Sequence, residues 1–369
     1  MSLFSRGTDS ESRSDRRLRS GRILRSGLVP AWRLRLGVQL ISLAIIAYVG
    51  IRFAVWVGHL EQGRIIGERP AGVEGFLPIS ALISLRHLFE TGEFSRIHPA
   101  GLIIFALAVL TSLLLKKAFC SWICPVGTVS EYLSRAGHRI FSRRFRLPPW
   151  LDRPLMAVKY LLLAFFVHAV FIQMTPRAVE LFLNSPYNKV ADVKMLYFFS
   201  RISATTLIVI GVLALLSVVI PYFWCRYLCP YGALLGLVSR LSPIKVVRAP
   251  LSCSDCGKCA AVCPSFLDVD RKETVNSLEC TGCLECVNSC PAPGALTVSG
   301  PSWRCRVLKP TVFAALLVML FYGGIGLAKM TGYWRSGIPD TEYMQRVREI
   351  ETPKYHHARG QVPEYGPQD

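Results

Sequence analysis

Residues 202–232 read ISATTLIVIGVLALLSVVIPYFWCRYLCPYG. Residues 202–224 carry no charge, and about 20 such residues span the hydrocarbon of a bilayer. Backbone groups in lipid must be satisfied within their own segment, so this stretch predicts a membrane helix. It runs directly into two thiols and a proline, Cys225-Arg226-Tyr227-Leu228-Cys229-Pro230, followed by Tyr231-Gly232. The same arrangement stands 105 residues earlier, where the uncharged stretch 97–115 precedes Cys120-Ser121-Trp122-Ile123-Cys124-Pro125-Val126-Gly127. Both copies close on Ser-Arg, at Ser134-Arg135 and Ser239-Arg240. An internal repeat of helix plus C-x3-C-P therefore organises the chain.

Working outward, three more stretches have the length and apolarity of membrane helices: 36–57 with Arg52 near its end, 155–175 with Lys159 one turn inside, and 310–328. Arg52 and Lys159 read as side chains that snorkel to the interface. His168 inside the third helix has no visible partner. Composition agrees, with 51% apolar and 18% charged residues where soluble domains carry about a quarter charged, and a mean hydropathy of +0.37. A disordered or fibrous chain is excluded. The net charge of +19 suits an anionic membrane face or nucleic acid, and the hydropathy selects the membrane.

Lys and Arg collect on one side of the expected spans. Nine Arg precede residue 36, and Lys116, Lys117, Arg135, Arg139, Arg143, Arg144, Arg146 and Arg153 lie between the second and third helices. The stretches 58–96 and 176–200 are poorer. The N-terminus is thus expected in the cytoplasm and the C-terminus outside. Residues 1–35 read as a disordered basic arm, 36–249 as a four-helix core, 250–300 as a polar insert, 301–330 as a fifth helix and 331–369 as an extracytoplasmic tail.

The insert reads Cys253-x2-Cys256-x2-Cys259-x3-Cys263-Pro264, then Cys280-x2-Cys283-x2-Cys286-x3-Cys290-Pro291. This doubled run is the ligand pattern of a two-cluster bacterial ferredoxin, in which the fourth Cys of each run serves the other cluster. Cys253, Cys256, Cys259 and Cys290 are expected to hold one 4Fe–4S cluster, and Cys280, Cys283, Cys286 and Cys263 the second. Zinc sites use their ligands in pairs, and disulfides do not suit a reducing cytoplasm. Cys120, Cys124, Cys225 and Cys229 can converge at the membrane boundary on a third metal centre, since a spacing of four puts both thiols of a pair on one helix face. Redox-active dithiols and packed thiols are the other readings. Cys305 stands alone as a spectator.

In these motifs the chain resembles the NapH/NosR-type membrane polyferredoxins of bacteria over residues 36–310. The apolar stretches and the insert together predict an all-α multi-pass protein of the bacterial cytoplasmic membrane, with about five membrane helices and a small α+β ferredoxin-like insert. Of the resembling patterns the four-helix NapH one fits best, with a fifth helix and tail added. The resemblance implies electron transfer between the quinol pool and an exported reductase, or an assembly role for that reductase. Two features of relatives have no counterpart here. The NosR type adds a large extracytoplasmic flavin-binding domain, and copper-reducing relatives end in a β-sandwich that a tail of about 40 residues cannot build.

Three functions compete at this level: an electron-transfer subunit fed by quinol or a cytoplasmic donor, a reductase for a metal such as copper, and a redox-sensing regulator. No phosphate-binding loop, nucleophile–base pair or dinucleotide motif is present, and nucleic acid is not an expected partner. In the loop 58–96, residues 79–89 predict a helix at the outer interface. His59, Glu74, Glu93 and His98 are candidates to accept quinol protons, against a reading as ordinary interfacial polar residues. His356-His357 is a weak metal or partner signal.

Overall fold

The computed structural model describes residues 31–300 and 307–356. Residues 1–30, Cys305 and His357 lie outside the described residues. The chain is built of helices, most of them opened by proline. Proline suits the first helical position because its missing N–H has no intrahelical partner there. They are α1 (Ala31–Glu61), α2 (Pro78–Thr91), α3 (Pro99–Leu115), α4 (Ala118–Trp122), α5 (Pro125–Phe141), α6 (Pro149–Gln173), α7 (Pro176–Asn184), α8 (Ala191–Ser200), α9 (Ala204–Val219), α10 (Pro230–Ser239), α11 (Pro310–Met330) and α12 (Asp340–Arg348).

Among the described residues, α1, α6 and α11 are the single helices long and apolar enough to cross a membrane. The pair α8 and α9, bent by 80°, makes a fourth span if it counts as one. The five expected spans are thus three helices and one broken pair. The difference has local causes. α3 has 17 residues, about 26 Å at 1.5 Å per residue, at the lower limit for a hydrocarbon core. It ends at Lys116, whose φ of 58° cannot continue a helix. α9 ends at Val219, before Pro221, whose ring would break a helix there.

The first turns of α1 are apolar outside and polar inside. On α1, Arg35, Gln39 and Ser42 are buried while Leu40, Ile41, Ile45, Tyr48 and Ile51 are exposed. Leu161 and Phe165 of α6 and Leu207, Ile208 and Leu215 of α9 are exposed as well. Patches of this size need a covering, and the length of the helices matches lipid. Helix α1 also starts at Ala31, so Arg35 is a buried helical residue rather than the end of a basic arm.

The two repeats pack reciprocally. α3 lies against α10, the helix after the second C-x3-C-P, and α9 lies against α5, the helix after the first. Gly137 of α5 permits the second contact, since a Cβ there would sit 1.8 Å from the Val218 carbonyl oxygen. The insert is closed by two antiparallel strands, β1 (Lys245–Arg248) before the first cysteine run and β2 (Leu296–Ser299) after the second, with Lys245 opposite Ser299 and Arg248 opposite Leu296. It shares a core with the helices: Leu284 and Val298 of the insert are buried among Trp122, Leu235, Phe313 and Leu317. At the other end of the molecule, Tyr343 and Val347 of α12 pack with Phe53, Trp56 and Leu60 of α1 and Val193 of α8. Part of the expected tail is therefore a docked helix.

Candidate iron–sulfur sites

The first cysteine run begins at the surface and ends buried at Cys259 and Cys263. Cys256 is exposed, and Leu251 just before the run is fully exposed. The second run is turned inward. Cys280, Cys283 and Cys286 line one small cavity together with Cys263, the last thiol of the first run. Cys259 and Cys263 are buried among Val246, Val269, Val275 and Leu296, with Cys280, Cys286 and Cys290 packed around them. Cys259 lies close enough to Cys290 to feel its charge. Burial pushes the Cys283 thiol up to about 12, whereas the Lys258 N–H draws Cys256 below the ordinary thiol range. Thiols must ionise to ligate iron, so loading the buried set expels protons.

The C-x3-C-P thiols are brought together by a break in the helix, not by one helix face. Cys120 lies in α4, and Cys225 lies in a π-helical turn, Trp224–Leu228. Cys124 and Cys229 are extended, with ψ of 123° and 105°. The reason is the following proline, which disfavours the helical region for its predecessor. Each second cysteine is thus the N-cap residue of the next helix, and in the second copy the thiol itself caps, with Gly232 N–H donating to Cys229 Sγ at 3.2 Å. A Cβ at Gly127 would lie 2.0 Å from the Cys120 carbonyl oxygen, so glycine is required in the first copy. All four thiols line one cavity of about 1290 Å³ and feel one another's charge. Burial pushes Cys124 up to about 11 and Cys225 up to about 12.

Among the described residues no three His, Cys, Asp or Glu side chains converge as a single metal ion requires. A four-iron cube carries its thiolates on separate corners, further apart than the ligands of one ion. None of the twelve described cysteines forms a disulfide, and Leu267 N–H points at Cys263 Sγ (3.5 Å) as Gly232 N–H does at Cys229 Sγ. This all-thiol donor set fits iron–sulfur clusters better than hard cations.

Comparison with known proteins agrees. A family model described as a 4Fe-4S binding domain matches residues 97–148 and again 203–248, and one described as a 4Fe-4S dicluster domain matches 245–291. YccM of Escherichia coli (strain K12), named for electron transport, is 43% identical over 319 residues, 85% of this chain and 89% of YccM. The chain belongs to the NapH/NosR-type polyferredoxin family. The ferredoxin-type protein NapH of E. coli (strain K12) is 27% identical over 64% of the chain and 79% of its own length. NirI of Paracoccus denitrificans (strain Pd 1222) is 29% identical over 65% of the chain, which spans only 35% of NirI. No solved structure matches the chain. The polyferredoxin is an iron–sulfur electron-transport protein.

Its second cysteine run is docked on the first C-x3-C-P. Ser121 Oγ donates to the Thr281 carbonyl at 2.7 Å, and Trp122 Nε1 donates to the Gly282 carbonyl at 3.1 Å. Lys159 does not snorkel. It is fully buried, with Nζ 2.6 Å from Glu279 Oε1 of the insert. Neither it nor Arg35 was legible as a site residue, because their partners lie 120 and 250 residues away.

At the opposite end the structure joins two of the four proton candidates and leaves two apart. Glu74 is buried, 2.7 Å from Arg69 Nη1 and 3.5 Å from His98 Nδ1, and Arg69 also holds Asp192 at 2.6 Å. Burial would raise Glu74, but Arg69 and His98 together outweigh it and hold the carboxyl below its usual range. Burial would lower His98, but Glu74 outweighs that and raises it. Glu93 is exposed, and His59 Nδ1 is buried without a hydrogen-bond partner. Arg52 is exposed beside Tyr48, and His168 and His356 are exposed.

Proposed function

We propose that this polyferredoxin is a membrane-bound relay passing electrons between the quinone pool or a cytoplasmic donor and a respiratory or exported reductase. In this reading Cys253, Cys256, Cys259 and Cys290 hold one 4Fe–4S cluster, and Cys280, Cys283, Cys286 and Cys263 hold a second. Cys120, Cys124, Cys225 and Cys229 hold a third centre at the membrane boundary. Bound there, such clusters supply one-electron transfer. The chain's own residues keep the ligand groups adjacent and leave Cys256 the most exposed of them.

The observation that carries the reading is the direct contact between α4, which bears Cys120, and the loop Cys280–Cys286. With the second run against α4, the exposed Cys256 of the first run is left open to a soluble donor. The Lys and Arg distribution favours a cytoplasmic insert. The large cavity beside the boundary thiols has walls from α1 and α11, including Ile45, Val49, Phe321 and Ile325. Its apolar walls suit a quinone.

The test is iron and acid-labile sulfide per chain after anaerobic purification, with EPR of the reduced form. Three 4Fe–4S centres give about twelve iron, falling to about eight when Cys120 and Cys225 are both changed to Ser. A wild-type count of about eight would refute the boundary centre.

A further inference from the structure

Two carboxylates stand directly before thiols of the second cysteine run, Glu279 before Cys280 and Glu285 before Cys286. Each is gripped by a buried cation from a membrane helix. Lys159 of α6 holds Glu279 Oε1 at 2.6 Å, and Tyr160 Oη donates to the same oxygen at 3.1 Å. Lys117 Nζ stands 4.0 Å from Glu279 Oε2. Arg35 of α1 holds Glu285 Oε1 at 2.7 Å, also pairs with Glu131 of α5, and donates from Nη1 to the Cys283 carbonyl at 3.4 Å. Lys159 and Arg35 are 0% and 2% exposed.

The first run is an internal control. Its equivalent positions are Ser252 and Lys258, both exposed. The same ligand spacing therefore needs no carboxylates; they appear only where the run meets the membrane helices. Apolar contact could also hold the two parts together, but it is not directional. Ion pairs at both ends of a loop fix its register, at the cost of desolvating four charged groups.

We propose that Lys159 and Arg35 are positioning residues that lock the Cys280–Cys286 loop against α4, and so set the rate of electron passage between the insert and the boundary thiols. This rests on the relay reading. Each acts through a carboxylate next to a thiol, and Arg35 also through the Cys283 carbonyl.

The experiment uses the full-length protein in lipid nanodiscs, reduced anaerobically with dithionite. It reads iron content, magnetic coupling between reduced centres by EPR, and the rate at which the boundary centre follows the insert. Lys159→Met and Arg35→Met are expected to keep about twelve iron, weaken the coupling and slow the boundary centre on the order of tenfold, as loss of a second-sphere contact does. Exchanging the charges, Lys159→Glu with Glu279→Lys, should restore coupling and rate. Ser252→Ala, at the exposed position equivalent to Glu279, should change neither.

Full iron with unchanged coupling and rate in both Met variants would overturn the proposal. Loss of iron that the charge exchange does not restore would also overturn it, by making the pair an assembly brace. A wild-type count of about eight iron refutes the boundary centre, and this proposal with it, before any variant is compared. Failure confined to the variants refutes only the grip.

Discussion

The two cysteine runs of the insert share one spacing and occupy two environments. In both, the backbone turns through the left-handed region on either side of the second thiol. The residues are Asp255 (φ 47°) and Gly257 (φ 65°) in the first run, Gly282 (φ 60°) and Leu284 (φ 61°) in the second. The bend is common, but the glycine has changed sides. A Cβ at Gly282 would meet the Leu115 carbonyl oxygen at 3.3 Å and Lys116 Cβ at 3.5 Å, while nothing lies within 4 Å of one at Gly257. Leu284 accepts a conformation that costs about 1–2 kcal/mol, and burying its side chain in the helix core returns about 1.5–3 kcal/mol. The shared ligand spacing accompanies a shared backbone; the surroundings decide which side chains that backbone carries.

The strongest break of this comparison is loss of a ligand. Cys283→Ser is expected to remove about four iron and also loosen the insert from the helices, because cluster loading and folding are coupled. Cys256→Ser should remove about four iron and leave that contact intact. Iron analysis with limited proteolysis of the same samples separates the two.

Leu284→Ala should destabilise the chain by about 2–5 kcal/mol, as for other buried leucines. Gly257→Ala should cost only the left-handed strain, about 1–2 kcal/mol. Denaturant titration in detergent reads the difference. Exchanging residues tests the glycine shift. Gly282→Asp should abolish docking on α4, while Asp255→Gly should change stability by no more than about 1 kcal/mol.

A third experiment uses cluster-free protein. Cys256, drawn below the ordinary thiol range, exposes a thiolate at lower pH and should be alkylated first. Cys283, pushed up to about 12 by burial, should stay unreacted through the weakly alkaline range. Mass spectrometry of iodoacetamide-treated samples across pH sets the order, and equal rates would contradict the burial difference. The smallest effect is Trp122→Phe, which removes the donor to the Gly282 carbonyl. It should cost about 1 kcal/mol and leave the first run untouched.

Much of the candidate site was legible because its information is local. Cysteine spacing is a covalent property, and Cys-Pro dictates where a helix must break. Even so, the helix-face reading of the C-x3-C-P thiols was wrong in detail: Pro125 and Pro230 throw Cys124 and Cys229 into the extended region. The five expected spans were read from apolar length alone. Length does not register that Lys116 stops α3 or that α8 and α9 bend at their junction.

The sequence by itself determined that this is an iron–sulfur membrane protein with a repeated C-x3-C-P, since ligand type, spacing and apolar run length are written along one chain. Only the tertiary structure decided which cysteine run faces the helices and which charges hold it there. Arg35 resembled the end of a disordered arm and Lys159 a snorkelling side chain. Both are buried because each finds a carboxylate far away in sequence. The energy that buries a charge belongs to a pair, and pairs this distant leave no periodic trace in the sequence.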